Sequence, residues 1–453
     1  MKIALIIPDH LSGRSFLQPP LEMALCSSYL KRDGHEVLLI DNRIRKMPLD
    51  LLVSKVKGAN LIVIPTTLYD CMQNYWVDFR VQYALKTING IKARTPDIPV
   101  VVCGSHGTVR PDLILRDTLA DIILLGEYEE TIRLIAKALQ GSGSVEDVPN
   151  LVIRKGAQAI ETRYDKFLFH PEPCETVFPD YSDINLEMYY HDDYAYNKHV
   201  KATKWGTVLA SRGCPYNCLF CYNFFGKNLR LRSAESVIAE MDFMQNEMNA
   251  RGLYFIDSTF GIDSAWLFEL CELIKARKLQ IPWNIESRCD LLNSIDLLKK
   301  LKEANCHRIW VGIESFDSNI LRIARKSVTL EVIESFLENV RLVGLDVGAF
   351  INFGLPGETL DSVNYTIRKL HEWRLTYTKS IIIANPKYGT DYYTIAKRQY
   401  PYIGGNWSDL NAISGLVANE MTPHVLKNIV NLMYDRGFIF SDLAPRIVDA
   451  QLA

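Results

Sequence analysis

The feature that most restricts the fold is an alternation of short apolar runs and longer amphipathic stretches, which occurs twice along the 453 residues. In residues 1–140, five apolar runs each precede an amphipathic stretch: KIALIIP, EVLLID, LIVIP, PVVVCG and DIILLG. These runs are almost continuously apolar, as expected for parallel strands that are buried on both faces. Five β/α units predict a doubly wound Rossmann domain of flavodoxin-like strand order. Such a sheet binds ligands beyond the carboxyl ends of its strands.

The alternation restarts at Trp205, after residues 141–203. This intervening stretch begins with GSGSVEDVP, continues with a predicted hairpin that turns at Lys155 and Gly156, and is predicted to be a linker. Six further β/α repeats in residues 204–390 are too few for a closed eightfold barrel and favour a partial (β/α)6 barrel. Residues 391–453 are predicted to form a short helical region. Its tyrosines and Trp407 either line a pocket or, as is more common for aromatic residues, pack in the core.

The charge and the cysteine content exclude several classes of protein. Lys and Arg total 51 against 53 Asp and Glu, so the net charge of −2 provides no basic field that would attract nucleic acid. The start, MKIALIIPDH, has an apolar run ended by Pro8 and Asp9, which predicts a buried strand rather than a signal peptide. No apolar run approaches the roughly 20 residues that span a bilayer. Ten cysteines are too dilute for a disulfide scaffold, so we expect a cytoplasmic protein with reduced thiols.

Three of the ten cysteines are crowded into one segment, SRGCPYNCLFCYN. Cys214, Cys218 and Cys221 have the spacing C-x3-C-x2-C. Structural zinc normally has four ligands, often as two separated C-x2-C pairs, and the sequence contains no second pair. Three thiolates can instead hold three irons of a [4Fe–4S] cluster and leave the fourth iron open to a ligand. Reduced thiols rarely crowd one loop without a metal, so the segment predicts an iron–sulfur site that Phe220 shields from water.

The cysteine spacing, placed after the first strand of a partial β/α barrel, resembles the radical S-adenosylmethionine (SAM) superfamily. The resemblance implies that the open iron binds the amino and carboxylate groups of SAM. It also implies that reductive cleavage of SAM yields a 5′-deoxyadenosyl radical. Later segments resemble the motifs of the family's second to sixth strands: FIDSTF (255–260), SRCD (287–290), GIES (312–315), NFGLPGET (352–359) and NPKYGT (385–390).

The resemblance implies a set of residues that contact SAM around the mouth of the barrel: Phe220, Asp257, Ser258, Arg288, Glu314, Ser315, Gly354 and Pro356. Two of the segments have simpler alternatives. Asp257 stands at a strand end and would equally serve as the N-cap of the next helix. LPGE, taken alone, is a turn before an acidic helix start. No residue is assigned a catalytic role beyond binding.

The first domain resembles the cobalamin-binding domain that precedes one branch of this superfamily, in the segments PPLEMALCSSYLKRDGHEVLLID, GSHGTVRPD and LLGEYEET. The resemblance implies that the loops after the strands contact a corrinoid: His10, Thr66, Thr67, Tyr69, Gly104, Ser105, His106, Gly126 and Glu127. Cobalamin proteins with a D-x-H-x-x-G motif place one residue between Asp and His, whereas Asp9 and His10 are adjacent here. We therefore expect His10 to be a loop residue rather than a cobalt ligand. His106 has the alternative of capping the helix near Pro111.

Together these resemblances imply a cobalamin-dependent radical SAM methyltransferase. It would methylate an unactivated carbon or phosphorus centre of a small molecule through a 5′-deoxyadenosyl radical and methylcobalamin. They also imply a low-potential electron donor such as flavodoxin or ferredoxin. Three alternatives stay open: cyclisation or ring rearrangement without methyl transfer, a radical SAM enzyme with a vestigial cobalamin domain, and an iron–sulfur or SAM-binding sensor or redox module.

Overall fold

A computed structural model describes residues 1–9, 16–68, 78–165, 177–191, 204–375, 378–435, 449 and 451 of the chain. The chain divides into two compact units. The first contains residues 1–12, 19–188 and 405–407, and the second contains residues 13–18, 189–404 and 408–453. The finer division expected from the sequence, with a separate linker and carboxyl-terminal region, stays a prediction.

Strands and helices alternate along the first part of the chain. The elements are β1 (Lys2–Ile7), β2 (Phe16–Leu17), α1 (Leu21–Arg32), β3 (Glu36–Asp41), α2 (Asn42–Arg45), α3 (Leu49–Val56), β4 (Leu61–Pro65), α4 (Asp78–Lys92), β5 (Val100–Cys103), α5 (Ser105–Val109), α6 (Pro111–Asp117), β6 (Ile122–Leu124), α7 (Glu129–Leu139), β7 (Leu151–Lys155) and β8 (Gln158–Glu161).

The first unit is built on a seven-stranded sheet with the order β3-β1-β4-β5-β6-β7-β8. Its first five strands are parallel. In chain order they lie second, first, third, fourth and fifth, which confirms the predicted flavodoxin-like Rossmann fold. β4 and β5 are buried along their whole length, as their continuous apolar runs require. The predicted hairpin at Lys155 and Gly156 is formed by β7 and β8, which extend the sheet with antiparallel pairing.

The second unit repeats the alternation with longer strands. Its elements after β2 are β9 (Tyr190–His191), β10 (Trp205–Val208), β11 (Ser211–Arg212), β12 (Arg230–Leu231), α8 (Ala234–Asn246), β13 (Gly252–Phe255), α9 (Ser264–Ala276), β14 (Trp283–Ser287), α10 (Ile295–Glu303), β15 (Cys306–Glu314), α11 (Ser318–Ile323), α12 (Leu330–Val343), β16 (Asp346–Phe353), α13 (Leu360–Glu372), β17 (Thr378–Ile383), α14 (Asp391–Gln399), α15 (Asp409–Ala412) and α16 (Pro423–Asp435).

A six-stranded parallel sheet with the order β10-β13-β14-β15-β16-β17 forms the centre of this unit. The strands lie side by side in chain order, as expected when each right-handed β/α connection adds the next strand. This order confirms the predicted partial (β/α)6 barrel. Two short antiparallel pairs accompany it, β2 with β9 and β11 with β12.

The two faces of this sheet have different aromatic clusters, because neighbouring residues of a strand point to opposite faces. Tyr254 packs with Trp205 and Trp310 on one face. Phe255, the next residue, packs instead against Phe260 and Trp283. The barrel therefore has an apolar core on both sides of its strands.

Capping side chains fix where the helices of the second unit begin. Each of these caps accepts a hydrogen bond from a backbone N–H of the first helical turn: Ser233, Asp263, Ser294, Thr329, Thr359 and Thr390. Three helices, α14 to α16, lie within residues 391–435, in the stretch predicted to be helical. Tyr392 and Trp407 are buried, which favours the core alternative for these two aromatic residues. No helix among the described residues is long and apolar enough to cross a membrane.

Candidate active site

The three cysteines lie in the loop between β11 and β12, residues 213–229, which the antiparallel pairing of these two short strands closes. Gly213 opens the loop with a φ of +92°, and a Cβ at this position would clash with the backbone oxygen of Asn228. The Cys214 N–H donates to the Gly226 oxygen at 3.0 Å. The loop therefore needs glycine at its first position, and its shape is set by its own backbone.

The three cysteines are chemically suitable ligands for an iron–sulfur cluster, because thiolate sulfur is the usual ligand of its irons. Cys214, Cys218 and Cys221 are free thiols; the first two are half-buried and the third is exposed. Phe220 is half-buried beside them. Within the described ranges no three metal-ligating side chains already stand together around a common point, so the gathering of the three sulfurs stays a prediction.

Leu219, between the second and third cysteines, anchors the middle of the loop through its backbone. Its N–H donates to the Ala324 oxygen at 2.9 Å, and its oxygen accepts from the Tyr392 N–H at 3.1 Å. The Leu219 side chain is buried. The segment between Cys218 and Cys221 is thus held by residues that follow the fourth and sixth barrel strands.

The second-strand segment supports the cysteine loop rather than projecting its carboxylate outward. Asp257 is buried, accepting from the Ala210 N–H at 3.1 Å and from the Ser211 hydroxyl at 2.5 Å. Burial raises the pKa of this carboxyl to about 6. The alternative that Asp257 caps the next helix is wrong, because Asp263 caps α9.

Ser258 and Thr259, which follow Asp257, differ in their exposure and in their contact with the cysteine loop. Ser258 is exposed, as expected for a residue that would meet a ligand. The Thr259 hydroxyl donates to the Ser258 oxygen at 2.7 Å and lies 3.4 Å from the Cys214 sulfur. Thr259 lies within the FIDSTF segment but was not among the predicted site residues, because nothing in the sequence places its hydroxyl near a cysteine.

Arg288, predicted from the third-strand motif, lies directly on the cysteine loop. Its guanidinium is 3.7 Å from the ring centre of Tyr216, a loop residue. It also donates to Asp290 at 2.9 and 3.1 Å and to the Lys326 oxygen at 2.8 Å. Its remaining nitrogen, Nη1, is buried and has no hydrogen-bond partner among the described residues. This donor is suited to an acceptor such as a carboxylate.

Glu314, predicted from the fourth-strand motif, forms a buried ion pair. Its Oε1 accepts from Lys326 Nζ at 2.9 Å, and its backbone has a φ of +67° at a register shift of β15. A Cβ on Gly312 would lie 2.6 Å from this oxygen and would clash with Lys326. A side chain at position 312 would therefore force one or both of these charged groups to move.

Lys326 brings positive charge to the cysteine loop. Burial acts to lower the pKa of Lys326, but Glu314 and Cys218 outweigh burial, so the pKa is raised and the ammonium stays charged. Burial raises the pKa of the Cys218 thiol, and Lys326 and Arg288 act in the opposite direction. Lys326 was missed in the sequence because it lies twelve residues beyond Glu314, after α11, and only the fold unites them.

The polar groups of Ser315 and of the fifth-strand turn mostly hydrogen-bond to other groups of the protein. The Ser315 hydroxyl lies 3.3 Å from that of Thr366 and accepts from the Asp317 N–H at 3.1 Å. Gly354, with a φ of +86°, donates its N–H to the carboxyl group of Glu358, and its oxygen accepts from the Tyr392 hydroxyl at 3.0 Å. Pro356 is half-buried. The backbone N–H and oxygen of Gly354 are therefore both paired within the protein, and the contact of the turn with SAM stays a prediction.

In the first unit, the candidate residues lie where β4, β5 and β6 end. The Ser105 N–H donates to Thr67 Oγ1 at 2.8 Å, and the two hydroxyls lie 3.1 Å apart. Thr66 Oγ1 donates to the Cys103 oxygen at 3.1 Å. A Cβ on Gly104, which has a φ of +101°, would lie 2.7 Å from Thr67 Oγ1. Hydroxyl groups thus crowd this edge of the sheet around a glycine.

The remaining candidates of this unit are Gly126, Glu127, His106, His10 and Tyr69. The Gly126 N–H donates to Thr108 Oγ1 at 3.0 Å, and Glu127 is half-buried. His106 is buried in the first turn of α5, and the N-cap of α6 is Arg110, so His106 does not cap that helix. His10 and Tyr69 lie outside the described residues.

Comparison with known proteins agrees with this arrangement. Residues 208–370 match the family model of the radical SAM superfamily. An uncharacterized methyltransferase of Pyrococcus horikoshii is 25% identical over 99% of this chain and 94% of its own length. The anaerobic magnesium-protoporphyrin IX monomethyl ester cyclase of Rubrivivax gelatinosus is 23% identical over 82% of this chain and 66% of its own.

A solved structure shares the fold over most of the chain. The radical SAM methyltransferase TsrM from Kitasatospora setae, solved with cobalamin and a [4Fe–4S] cluster bound, has a TM-score of 0.72 and 18% identity over 88% of this chain and 78% of its own. Residues 208–370, which contain the cysteine loop and most of the barrel, are thus similar to the radical SAM superfamily. Over most of its length, the chain is similar in fold to this methyltransferase, which was solved with cobalamin bound.

Proposed function

We propose that the protein is a cobalamin-dependent radical SAM methyltransferase that acts on an unactivated carbon or phosphorus centre of a small molecule. The observation that carries the proposal is the loop of three free cysteines at the carboxyl edge of the barrel, beside the Lys326 and Arg288 cations. When bound, the cluster and SAM supply a 5′-deoxyadenosyl radical, and methylcobalamin supplies the methyl group.

Different residues of the barrel would bind the cluster and SAM. Cys214, Cys218 and Cys221 would hold three irons of the cluster. Arg288 Nη1 is a buried donor without a partner in the described ranges, and Lys326 is a buried ammonium. Both groups are suited to the carboxylate of an amino-acid ligand, because charge-assisted bonds are strong where water is excluded. Ser258 and the turn at Gly354 complete the proposed SAM site.

The first unit would hold the corrinoid at the edge where β4, β5 and β6 end. Open α/β sheets bind ligands at this edge. The hydroxyls of Thr66, Thr67 and Ser105 can hydrogen-bond to the amide groups of a corrinoid. Cobalamin mixed with the purified protein should co-elute with it in gel filtration. Cobalamin that elutes separately would favour a vestigial domain.

A product analysis tests the proposed reaction. Anaerobically reconstituted protein with SAM and dithionite should form 5′-deoxyadenosine. With a methyl-accepting substrate it should form S-adenosylhomocysteine as well. Formation of 5′-deoxyadenosine alone across a substrate screen would favour cyclisation, which the similarity to a cyclase also supports. Formation of neither product would contradict the proposal and favour a sensor or redox module.

Two further expectations belong to this proposal. A low-potential donor such as flavodoxin or ferredoxin would supply the electron for SAM cleavage. A cytoplasmic location would keep the cysteine loop reduced and able to take up iron.

A further inference from the structure

We propose that Tyr392, in the carboxyl-terminal region, is a positioning residue that fixes the cysteine loop and the Gly354 turn at a set separation. The inference rests on the proposed function, because its importance lies in a ligand that spans these two parts of the site. Tyr392 is fully buried. It lies in the first turn of α14, where Thr390 caps the helix by accepting from the Tyr393 N–H at 3.1 Å.

Tyr392 binds the cysteine loop through its backbone. Its N–H donates to the Leu219 oxygen at 3.1 Å, and the Leu219 N–H in turn donates to the Ala324 oxygen at 2.9 Å. Both backbone groups of Leu219 are therefore committed. Because Leu219 lies between Cys218 and Cys221, a shift of α14 would move the segment that carries two of the three sulfurs.

The same residue binds the fifth-strand turn through its side chain. The phenol donates to the Gly354 oxygen at 3.0 Å. The turn has little freedom to move away, because the Gly354 N–H is held by Glu358 and a Cβ on Gly354 would clash with the backbone of Gly415. Gly415 itself donates to the Ala384 oxygen at 2.7 Å, at the end of β17.

A rigid ring thus joins two backbone segments that follow different barrel strands. Burial raises the pKa of the Tyr392 phenol, so the hydroxyl stays protonated and remains a donor. Without this bond the Gly354 oxygen would be left buried and unsatisfied, and the turn would be free to shift relative to the loop. A ligand bound at both places would then lose affinity, although the loop could still hold a cluster.

The test compares two Tyr→Phe variants. Tyr392→Phe keeps the ring and the backbone N–H and removes only the hydroxyl. Tyr400→Phe is the control from the same segment: it also removes a phenol that donates to a backbone oxygen, that of Leu416 at 3.0 Å, but from a half-buried position. The readouts are iron and sulfide content, the EPR spectrum of the reduced cluster with and without SAM, and the dissociation constant of SAM.

We expect Tyr392→Phe to keep the iron content and the SAM-free spectrum of the wild type. Its SAM dissociation constant should rise about 5- to 30-fold, the effect of one lost buried hydrogen bond, and its SAM-induced spectral change should be smaller. Tyr400→Phe should stay within about twofold of the wild type. Replacing Tyr392 by para-aminophenylalanine, which keeps a donor at the same place, should restore SAM affinity.

Three results would overturn the inference. The first is a Tyr392→Phe variant that binds SAM like the wild type. The second is an equal loss of SAM affinity in both Phe variants, and the third is no rescue by para-aminophenylalanine; either of these would indicate general destabilisation. A wild-type protein that holds no cluster would instead refute the proposed function, and the inference with it. If Tyr392→Phe does not fold, the variant with para-aminophenylalanine at position 392 still tests the inference. This variant keeps the donor, so weakened SAM binding by its folded form would contradict the proposed role of the hydroxyl.

Discussion

Lys326 Nζ lies 2.9 Å from Glu314 Oε1, and this buried ion pair stands where β15 ends and the Glu314 backbone takes a φ of +67°. The two residues are twelve positions apart in the sequence. The pair joins a strand end to the segment after α11 and places an ammonium beside the cysteine loop.

Replacing Lys326 by Met should strongly destabilise the protein. The change leaves the Glu314 carboxylate buried without its cation, and we expect the free energy of unfolding to fall by about 3–5 kcal/mol. Urea unfolding measures this change. In the double variant with Glu314→Gln, much of the loss should be recovered, because no unpaired charge remains buried. Equal stability of the single and the double variant would show that the ion pair has no such role.

Alanine at Gly213 should damage the cysteine loop more than alanine at Gly226. Both glycines have positive φ, +92° and +77°, so both substitutions strain the backbone by about 1–2 kcal/mol. Only at Gly213 would the new Cβ also clash, with the Asn228 oxygen, whereas nothing lies within 4 Å at Gly226. We expect Gly213→Ala to lose reconstituted iron faster than Gly226→Ala in an anaerobic chelator assay. Equal rates of iron loss would contradict the steric account.

Glu358 should make the protein less stable as pH rises. Burial raises the pKa of Glu358 to about 8, against an ordinary value of 4.5. Between these values the folded protein holds a proton that the unfolded chain has lost, so the free energy of unfolding falls with rising pH. Glu358→Gln keeps an acceptor for the Gly354 N–H and removes this titration. It should flatten the decline in melting temperature between about pH 5 and 8.

Asp257 also makes the stability depend on pH, so the melting temperature of the Glu358→Gln variant should not become fully independent of pH. Burial raises the pKa of Asp257 to about 6 from an ordinary value of 3.8, so its contribution has the same sign and is confined to lower pH. The Glu358→Gln variant should therefore keep a slope only below about pH 6. A variant whose melting temperature declines as steeply as that of the wild type from pH 6 to 8 would show that Glu358 is not the group responsible.

The strand order of both sheets could be predicted because it depends on local patterns. Continuous apolar runs mark buried parallel strands, and right-handed connections restrict their arrangement. The cysteine loop could be predicted because three ligands stand within eight residues. In each case the sequence signal is contained in a short segment.

The partners of the site could not be predicted, because they depend on tertiary contacts. Lys326 contacts Glu314 at the register shift of β15. The Tyr392 hydroxyl donates to the Gly354 oxygen from α14, a helix that follows the last barrel strand. The carboxyl group of Asp257 matched a family motif, yet both of its oxygens accept from the segment that follows the first barrel strand, at Ala210 and Ser211. Its role as a SAM contact stays a prediction, as do those of Ser315 and Pro356.

The most direct test of the central claim is the iron and sulfide content of the anaerobically reconstituted protein. The wild type should hold about four irons and four sulfides per chain. Cys218→Ala should lose most of this iron, whereas Cys271→Ala, which removes a buried free thiol in α9, should keep it. A wild type without iron, or equal iron in the Cys218→Ala and Cys271→Ala variants, would contradict the cluster site on which the account depends.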